Sequence, residues 1–469
     1  MSTTSLPESF RAQMISMLGE AEGRSFLNSY DSSRTYGLRI NTRKIKPGSP
    51  ADNCIRQLFR LQPVPWCDSG YYYDKETRPG KHPYHAAGLY YIQEPSAMSA
   101  VELLAPEPGE TVLDLAAAPG GKTTQIAMKM MGEGLLISNE IHPQRAKILA
   151  ENVERCGAGN VVVTQAAPGE LSARFPLAFD RIMLDAPCSG EGMFRKDPDA
   201  MAEWSPESVE MCAARQWDIL HDAIKMLKPG GYLAYSTCTF NRLENEETIS
   251  RLLECYPSMK LLAEKRIWPH LHKAEGHFIA LLQRDPEDGN QREEKQRSHK
   301  QSHKLRKDNE QPDKSAKLAL AAYMKWMQND MAGMDNPFGG GIPLLFGESL
   351  YVLPASKSLP LSTYSFAGLK VPRAGLHLGE YKKGRFQPAH ALAMVLSAND
   401  TSRTWTLKAG SDELSAYLHG DTLKVPENYH GWYIVAVECG GESFPLGWGK
   451  ASNGQLKNHL PKGLRQPIF

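Results

Sequence analysis

Residues 111–125 read TVLDLAAAPGGKTTQ, a strand running into a glycine turn that opens a helix. Thr111, Val112, Leu113 and Leu115 form a short β-rich apolar run; Pro119, Gly120 and Gly121 break it, and 123–131 can then wind helically. The glycines allow close backbone approach to a ligand, and the free amides at the helix start face it. Two phosphate sites fail on spacing. A P-loop needs a glycine five residues before its Gly-Lys-Thr, at 116, where this chain has alanine, and the dinucleotide fingerprint needs three spaced glycines where here two are adjacent. What survives is a doubly wound fold whose ligand lacks a pyrophosphate. A buried strand before an ordinary glycine turn has the same local pattern, so the other strand ends must decide.

Outward from this stretch the chain alternates strand and helix. The segments 135–140 (LLISNE), 160–164 (NVVVT), 180–185 (DRIMLD), 231–237 (GYLAYST) and 278–282 (FIALL) are short apolar strands, suited to a parallel sheet covered on both faces. Ligands of such sheets lie at the carboxyl ends of the strands. That rule selects Ala116, Ala117, Ala118, Pro119, Gly120, Gly121 and Lys122, then Glu140, 185–189 and Cys238.

A chain of 469 residues exceeds one core, so two or three domains are expected. Residues 1–95 read as a small mixed α/β module, with helices over 8–18, 21–29 and 51–61 and strands at 37–41 and 70–73. Arg39, Arg43, Lys44, Trp66, Tyr71, Tyr72, Tyr73, Lys81 and His82 interleave rings and cations there, either to stack and pair with single-stranded RNA or to pack on the next domain. Residues 96–283 hold the alternating sheet. Residues 284–317 contain one large aliphatic residue, Leu305, amid charges, and read as a flexible linker, with a basic RNA-contacting arm as the sharper alternative. Residues 318–469 follow an amphipathic helix at 316–331 with strands and glycine turns, a compact β-rich domain. Its turns carry Lys370, Arg373, Lys382, Lys383, Arg385, Lys450, Lys457, His459, Lys462 and Arg465, which could form a polynucleotide-binding face.

The balance of 54 basic and 53 acidic residues by itself indicates neither nucleic acid nor membrane. Residues 1–283 carry 30 basic and 34 acidic side chains, whereas 318–469 carry 14 and 11, so binding to an anionic polymer must draw on the downstream part. The eight cysteines lack C-x-x-C or metal-like spacing, and no metal site is expected. With no signal-peptide core and no apolar stretch of membrane-spanning length, a cytoplasmic protein with reduced thiols is expected.

Glu140 closes the second strand twenty residues after Gly120, where a doubly wound site places a carboxylate to accept both ribose hydroxyls. Two later strand ends carry thiols, in Asp185-Ala186-Pro187-Cys188 and Ser236-Thr237-Cys238, and adjacent strands would bring them into one crevice. Asn241 as N-cap with Glu244 as its capping partner would start a helix just after Cys238 and lower that thiol's pKa. Singly, each cysteine reads as a small core residue. Two thiols beside an adenosine-type cofactor suit S-adenosyl-L-methionine and a pyrimidine C5. A thiolate adding at C6 makes C5 enamine-like and able to attack a sulfonium methyl.

DLAAAPGGKT (114–123), LDAPCSGEG (184–192) with RKDPDA (195–200) behind it, and YSTCTFNRLENE (235–246) closely resemble the cofactor turn and two cysteine motifs of RNA (cytosine-5)-methyltransferases of the Nop/Sun group. RINTRK (39–44) and QEPSAM (93–98) look like that group's upstream motifs, and 445–465 is similar to the PUA-like extension of its bacterial small-subunit rRNA branch. The resemblance spans nearly the whole chain outside 284–317. It implies a Rossmann-like methyltransferase sheet flanked by an N-terminal RNA-binding module and a β-rich PUA-like RNA-binding domain. It also implies Cys238 as nucleophile, Cys188 in product release, 116–122 around the methionine end of the cofactor, Glu140 on the ribose, and Asp185 lining the cofactor or cytosine side. DNA cytosine-5 enzymes attack with the Pro-Cys thiol, so spacing alone leaves the choice of nucleophile open. Many relatives carry an acidic residue near the adenine after the third strand; this chain has Gln165-Ala166-Ala167-Pro168, leaving adenine contact to backbone or to Glu170.

The expected activity is S-adenosylmethionine-dependent cytosine-5 methylation of small-subunit (16S) rRNA. The same mechanism on tRNA or another RNA is an alternative, as is a non-catalytic RNA-binding ribosome-assembly factor. A nicotinamide oxidoreductase would share the sheet but lacks support in the glycine pattern.

Overall fold

The computed structural model describes residues 6–288 and 314–465, apart from 332, 335, 338, 339, 360 and 362–364. Most of the expected linker, 289–313, lies outside the described residues. Four short strands, β1 (Gly37–Ile40), β2 (Gln62–Val64), β3 (Cys67–Tyr72) and β4 (Tyr90–Ile92), form an antiparallel sheet in the order β2-β3-β1-β4. Of the two readings of its aromatics, packing holds for Tyr71 and Tyr72, which are buried. Arg39 is fully buried as well, so it offers no phosphate contact. The preceding helices, Glu8–Leu18 and Glu20–Asn28, bury Phe10, Met14 and Phe26 in one cluster with Phe194, Trp204 and Phe240.

The main sheet contains β5 (Thr111–Asp114), β6 (Leu135–Asn139), β7 (Val161–Gln165), β8 (Phe179–Asp185), β9 (Leu227–Thr237), β10 (Met259–Ile267) and β11 (His277–Arg284). β5 lies between β6 and β8, and the pairs β5-β6, β6-β7, β5-β8 and β8-β9 are all parallel. Antiparallel β11 and β10 follow β9. Alternate residues face opposite layers. Val112 and Leu136 pack with Val101, Ile126 and Leu149, whereas Leu113 and Ile137 pack with Leu220 and Ala223 of the helix Pro206–Met226. Strand order reverses at β5, which opens a crevice at the carboxyl ends of β5 and β8.

The downstream region forms two sheets. β12 (Ile342–Phe346), β13 (Ser349–Leu353), β15 (Leu376–Lys382) and β16 (Arg385–Pro388) make one, while β14 (Lys370–Ala374) leaves them and pairs antiparallel with β7, as the eighth strand of the main sheet. β17 (Thr404–Leu407), β18 (Leu423–Lys424), β19 (Gly431–Cys439), β20 (Glu442–Ser452) and β21 (Gln455–Asn458) make the other, in the order β17-β19-β20-β21-β18. Its Leu414, Tyr417 and Val437 share a core with Leu38, Ile55 and Tyr71 of the N-terminal module. Arg373, assigned from sequence to a polynucleotide-binding face, is buried against Glu154 at 3.3 Å, because β14 carries it into the main sheet. Among the described residues no helix is long and apolar enough to cross a membrane.

Candidate active site

The β5 turn is held from behind by its carbonyls. The guanidinium of Arg145 donates to Ala118 O (2.9 Å), Asn152 Nδ2 to Pro119 O (2.8 Å), and Arg39 Nη2 to Gly121 O (2.6 Å). A trans peptide plane sends N–H opposite to C=O, so anchoring the Pro119 and Gly121 carbonyls also fixes the Gly120 and Lys122 amides, which point away from Asn152 and Arg39. Ala117 N–H donates to Asn139 O (2.8 Å), fixing the turn to the end of β6. Gly120 takes φ +113°, a conformation side chains resist, and a Cβ there would lie 3.2 Å from Leu149 Cδ1. Ala116 is half-buried beside this turn. Arg39, on the sequence an RNA-contact candidate, also bonds Thr124 Oγ1 (2.9 Å) and Gln93, and so serves as the buttress of the turn.

Glu140 follows β6 and is buried, accepting from His142 N–H (3.0 Å) and lying 3.4 Å from Arg145. At the end of β8, Asp185 pairs with Lys122 Nζ at 2.7 Å and accepts from Ser236 Oγ at 2.8 Å. Burial opposes the charge of Asp185, but the Lys122 ammonium, with the hydrogen bonds from Lys122 and Ser236, outweighs it and holds the carboxyl below its usual range. Buried His277 is pushed down to about 3 by desolvation and by Lys122, so its imidazole is neutral at neutral pH. Asp114 accepts from Thr123 Oγ1 (2.6 Å), while its second oxygen is buried with no partner among the described residues. Burial pushes its carboxyl up to about 7.

Cys188 and Cys238 meet at the ends of β8 and β9, their sulfurs 3.3 Å apart, both as free thiols. The bond to Cys238, then burial, raises the Cys188 pKa well above the ordinary thiol value. The loops that carry them are fixed to each other. Gly192 N–H donates to Cys238 O (2.8 Å), and Glu244 accepts from Ser189 N–H (3.0 Å) and Gln216 Nε2 (2.8 Å), the latter also donating to Pro187 O (3.0 Å). Buried Glu191 accepts from Phe240 N–H (2.9 Å) and Trp204 Nε1 (3.2 Å), tying the loops to the N-terminal helical pair.

Two local expectations change. Asn241 is not a helix cap: its Oδ1 accepts from Leu243 N–H in a tight turn, the helix runs Glu246–Cys255, and Glu244 turns inward beneath the Pro-Cys loop. The helix N-terminus expected just after Cys238 is therefore not there. Glu170 Oε2 accepts from Ala167 N–H (2.7 Å) at the start of its own helix, Pro168–Arg174, which commits that carboxylate locally. Sequence reading also missed Gln216, Gly192 and His277. His277 opens β11, one residue ahead of the strand expected at 278, and it reaches the site because Phe278 pairs with Thr237 at the end of β9, which leaves His277 Nε2 3.8 Å from Asp185.

This set fits a zwitterionic nucleoside without phosphate. A buried carboxylate stands at the end of β6, the glycine turn is anchored through its carbonyls, Asp114 has a buried oxygen with no partner among the described residues, and the only lysine of the turn is engaged by Asp185. Family models match almost end to end: the 16S rRNA methyltransferase RsmB/F model over 101–283, the N-terminal domain of 16S rRNA methyltransferase RsmF over 6–95, the RsmF rRNA methyltransferase first C-terminal domain over 325–396, and the methyltransferase RsmF PUA domain over 406–466. The chain is 33% identical over 463 residues to ribosomal RNA small subunit methyltransferase F of Serratia proteamaculans, covering 91% of this chain and 89% of that one. The Vibrio cholerae protein of the same name is 31% identical over 490 residues, 98% of each. A methyltransferase homolog from Pyrococcus horikoshii superposes with TM-score 0.50 at 27% identity, covering 60% of this chain and all (100%) of that one. NSun6 from the same organism, at TM-score 0.54, 22% identity, 60% of this chain and 99% of that one, shares the fold. The chain belongs to the RsmF family of S-adenosylmethionine-dependent 16S rRNA methyltransferases.

Proposed function

We propose that this chain transfers a methyl group from S-adenosylmethionine to C5 of a cytosine in small-subunit rRNA, in the cytoplasm, through a covalent bond between Cys238 and the base. The observation that carries the reading is the 3.3 Å contact of two thiols at the carboxyl ends of β8 and β9, next to the glycine turn of β5. S-adenosylmethionine, when bound, supplies a methyl group on a sulfonium sulfur. The Cys238 thiolate adds to C6 of the base, forming a C–S bond and pushing an electron pair onto C5, which then takes the methyl. A base removes the C5 proton, the C5–C6 double bond re-forms, and the C–S bond breaks to return the thiolate. Cys188 keeps its proton through contact with Cys238 and burial, and that S–H can donate to the departing sulfur.

Residues 116–122 would hold the methionine end of the cofactor and Glu140 the ribose hydroxyls, while Asp185, braced by Lys122, lines the side where cofactor and cytosine meet. The N-terminal module (1–95) and the region after 318 would grip the RNA while the target base is unstacked into the crevice. Incubating purified protein with methyl-labelled S-adenosylmethionine and small-subunit rRNA, then digesting the RNA to nucleosides, tests the reading. Label in 5-methylcytidine is expected; label in any other nucleoside, incorporation into tRNA alone, or none, contradicts it.

A further inference from the structure

On the far side of the helix Pro143–Arg155 from the cofactor turn lies a second cavity, of about 600 Å³, closed by β13, β15 and the 460–464 loop of the C-terminal sheet. Its size suits a ligand larger than a simple ion. Arg373 lines it. That guanidinium spends Nη1 on Glu154 (3.3 Å) and Nη2 on Ala158 O (3.5 Å), but its Nε–H is buried with no acceptor among the described residues. A buried donor left unmatched is destabilising, so an acceptor on a ligand would be favoured there. Lys147 adds a second cation on the exposed rim. Tyr351 and His377, which also line the cavity, stack on each other at 4.4 Å and 15°, and Leu418, Leu446 and Leu460 supply an apolar wall. A bare anion would leave the rings and leucines uncovered, and an apolar ligand would leave Arg373 unmatched.

We propose that this cavity is a nucleotide site distinct from the methyl-transfer crevice: a phosphate meets Arg373 and Lys147, and the base lies against the rings and apolar wall. The nucleotide is either one unstacked residue of the RNA substrate or a free nucleoside monophosphate. The helix between the two sites makes the position consequential. Its one side gives Lys147 and Glu154 to the cavity, and its other gives Arg145 and Asn152 to the carbonyls of the cofactor turn.

Two variants of the full chain test it, Lys147→Glu, which reverses the rim charge, and Gly463→Phe, which adds bulk at the mouth. Nothing lies within 4 Å of a Cβ built on Gly463, which lines the cavity, so a larger side chain can start there without a backbone clash. Affinity is measured by calorimetry for AMP, GMP, CMP and UMP, by filter binding for small-subunit rRNA, and by calorimetry for S-adenosylmethionine as a reference. Loss of one stacked, phosphate-bound nucleotide weakens binding about tenfold in both variants, with S-adenosylmethionine affinity unchanged. Weakened rRNA binding in both variants identifies an RNA nucleotide as the occupant; weakened mononucleotide binding in both identifies the free form. Unchanged affinities for all of these, or a loss confined to Lys147→Glu, which reports surface charge alone, overturns the proposal.

Discussion

At the scale of single residues, burial sets the ionisation of the site. Asp114 has no exposed surface, and its carboxyl is pushed up to about 7 from an ordinary value near 4. The folded state therefore keeps a proton that the unfolded chain loses. Between pH 4 and 7 the unfolded state binds fewer protons, so stability falls as pH rises through this window and is flat above it. Asp114→Asn, which cannot ionise, should remove that dependence. Urea unfolding should find the variant more stable than the parent at pH 8, by up to about 4 kcal/mol, with the gain vanishing at pH 4; an equal difference at both values contradicts the assignment. Cys238→Ala should abolish methyl transfer and leave S-adenosylmethionine affinity within about twofold, because the sulfur is asked only to attack the base. Retained turnover would move the nucleophile to Cys188.

At the scale of elements, the site depends on two loops touching. A Cβ on Gly192 would fall 2.8 Å from Cys238 O and 3.1 Å from Gly276 O, both backbone atoms that cannot swing aside. Gly192→Ala should separate the thiols and lower methylation at least about tenfold while cofactor binding holds, since a misplacement of about 1 Å at reacting atoms is costly. Gly120→Ala acts on the other loop. With φ +113° and Leu149 behind it, the change costs about 1–2 kcal/mol of backbone strain and should raise the dissociation constant for S-adenosylmethionine about tenfold in a calorimetric titration. Unaltered cofactor affinity would place the donor elsewhere. Both thiol positions and the glycine turn are readable from sequence because strand ends repeat at regular intervals and parallel neighbours align their carboxyl ends. The roles of Glu244 and His277 are not readable. Glu244 has the spacing of a capping residue, and only the late start of the helix at Glu246 frees it to turn beneath Ser189.

At the scale of the whole molecule, the flanking parts brace the catalytic sheet. Phe10 packs on Phe194 at 5.1 Å and Phe26 on Phe240 at 4.9 Å, so the N-terminal helices support the loops that carry both cysteines. Phe10→Ala should cost about 3–5 kcal/mol in urea unfolding and reduce methylation more than cofactor binding; equal losses would make the support global. Sequence patterns reach this level only in part. Alternating apolar runs mark β5 to β9, but nothing local in KVPRA at 370–374 says that it will pair with β7, which lies on the other side of residues 284–317 in the sequence, or that Arg373 will thereby be buried. Tyr71 likewise looks like part of a stacking surface until residues of the C-terminal sheet cover it, and Tyr72 until Val64, Cys67 and Met98 do. β10 is mostly exposed and lacks the apolar signature by which its neighbours are recognised.

The covalent step is the claim on which the account stands, and trapping it is the direct measurement. Cys188→Ala and the double variant Cys188→Ala, Cys238→Ala are incubated with small-subunit rRNA and S-adenosylmethionine and run on denaturing gels. The single variant should accumulate a protein–RNA adduct that survives denaturation and the double variant none; no adduct in the single variant, or an equal one in both, contradicts attack by Cys238 and release through Cys188.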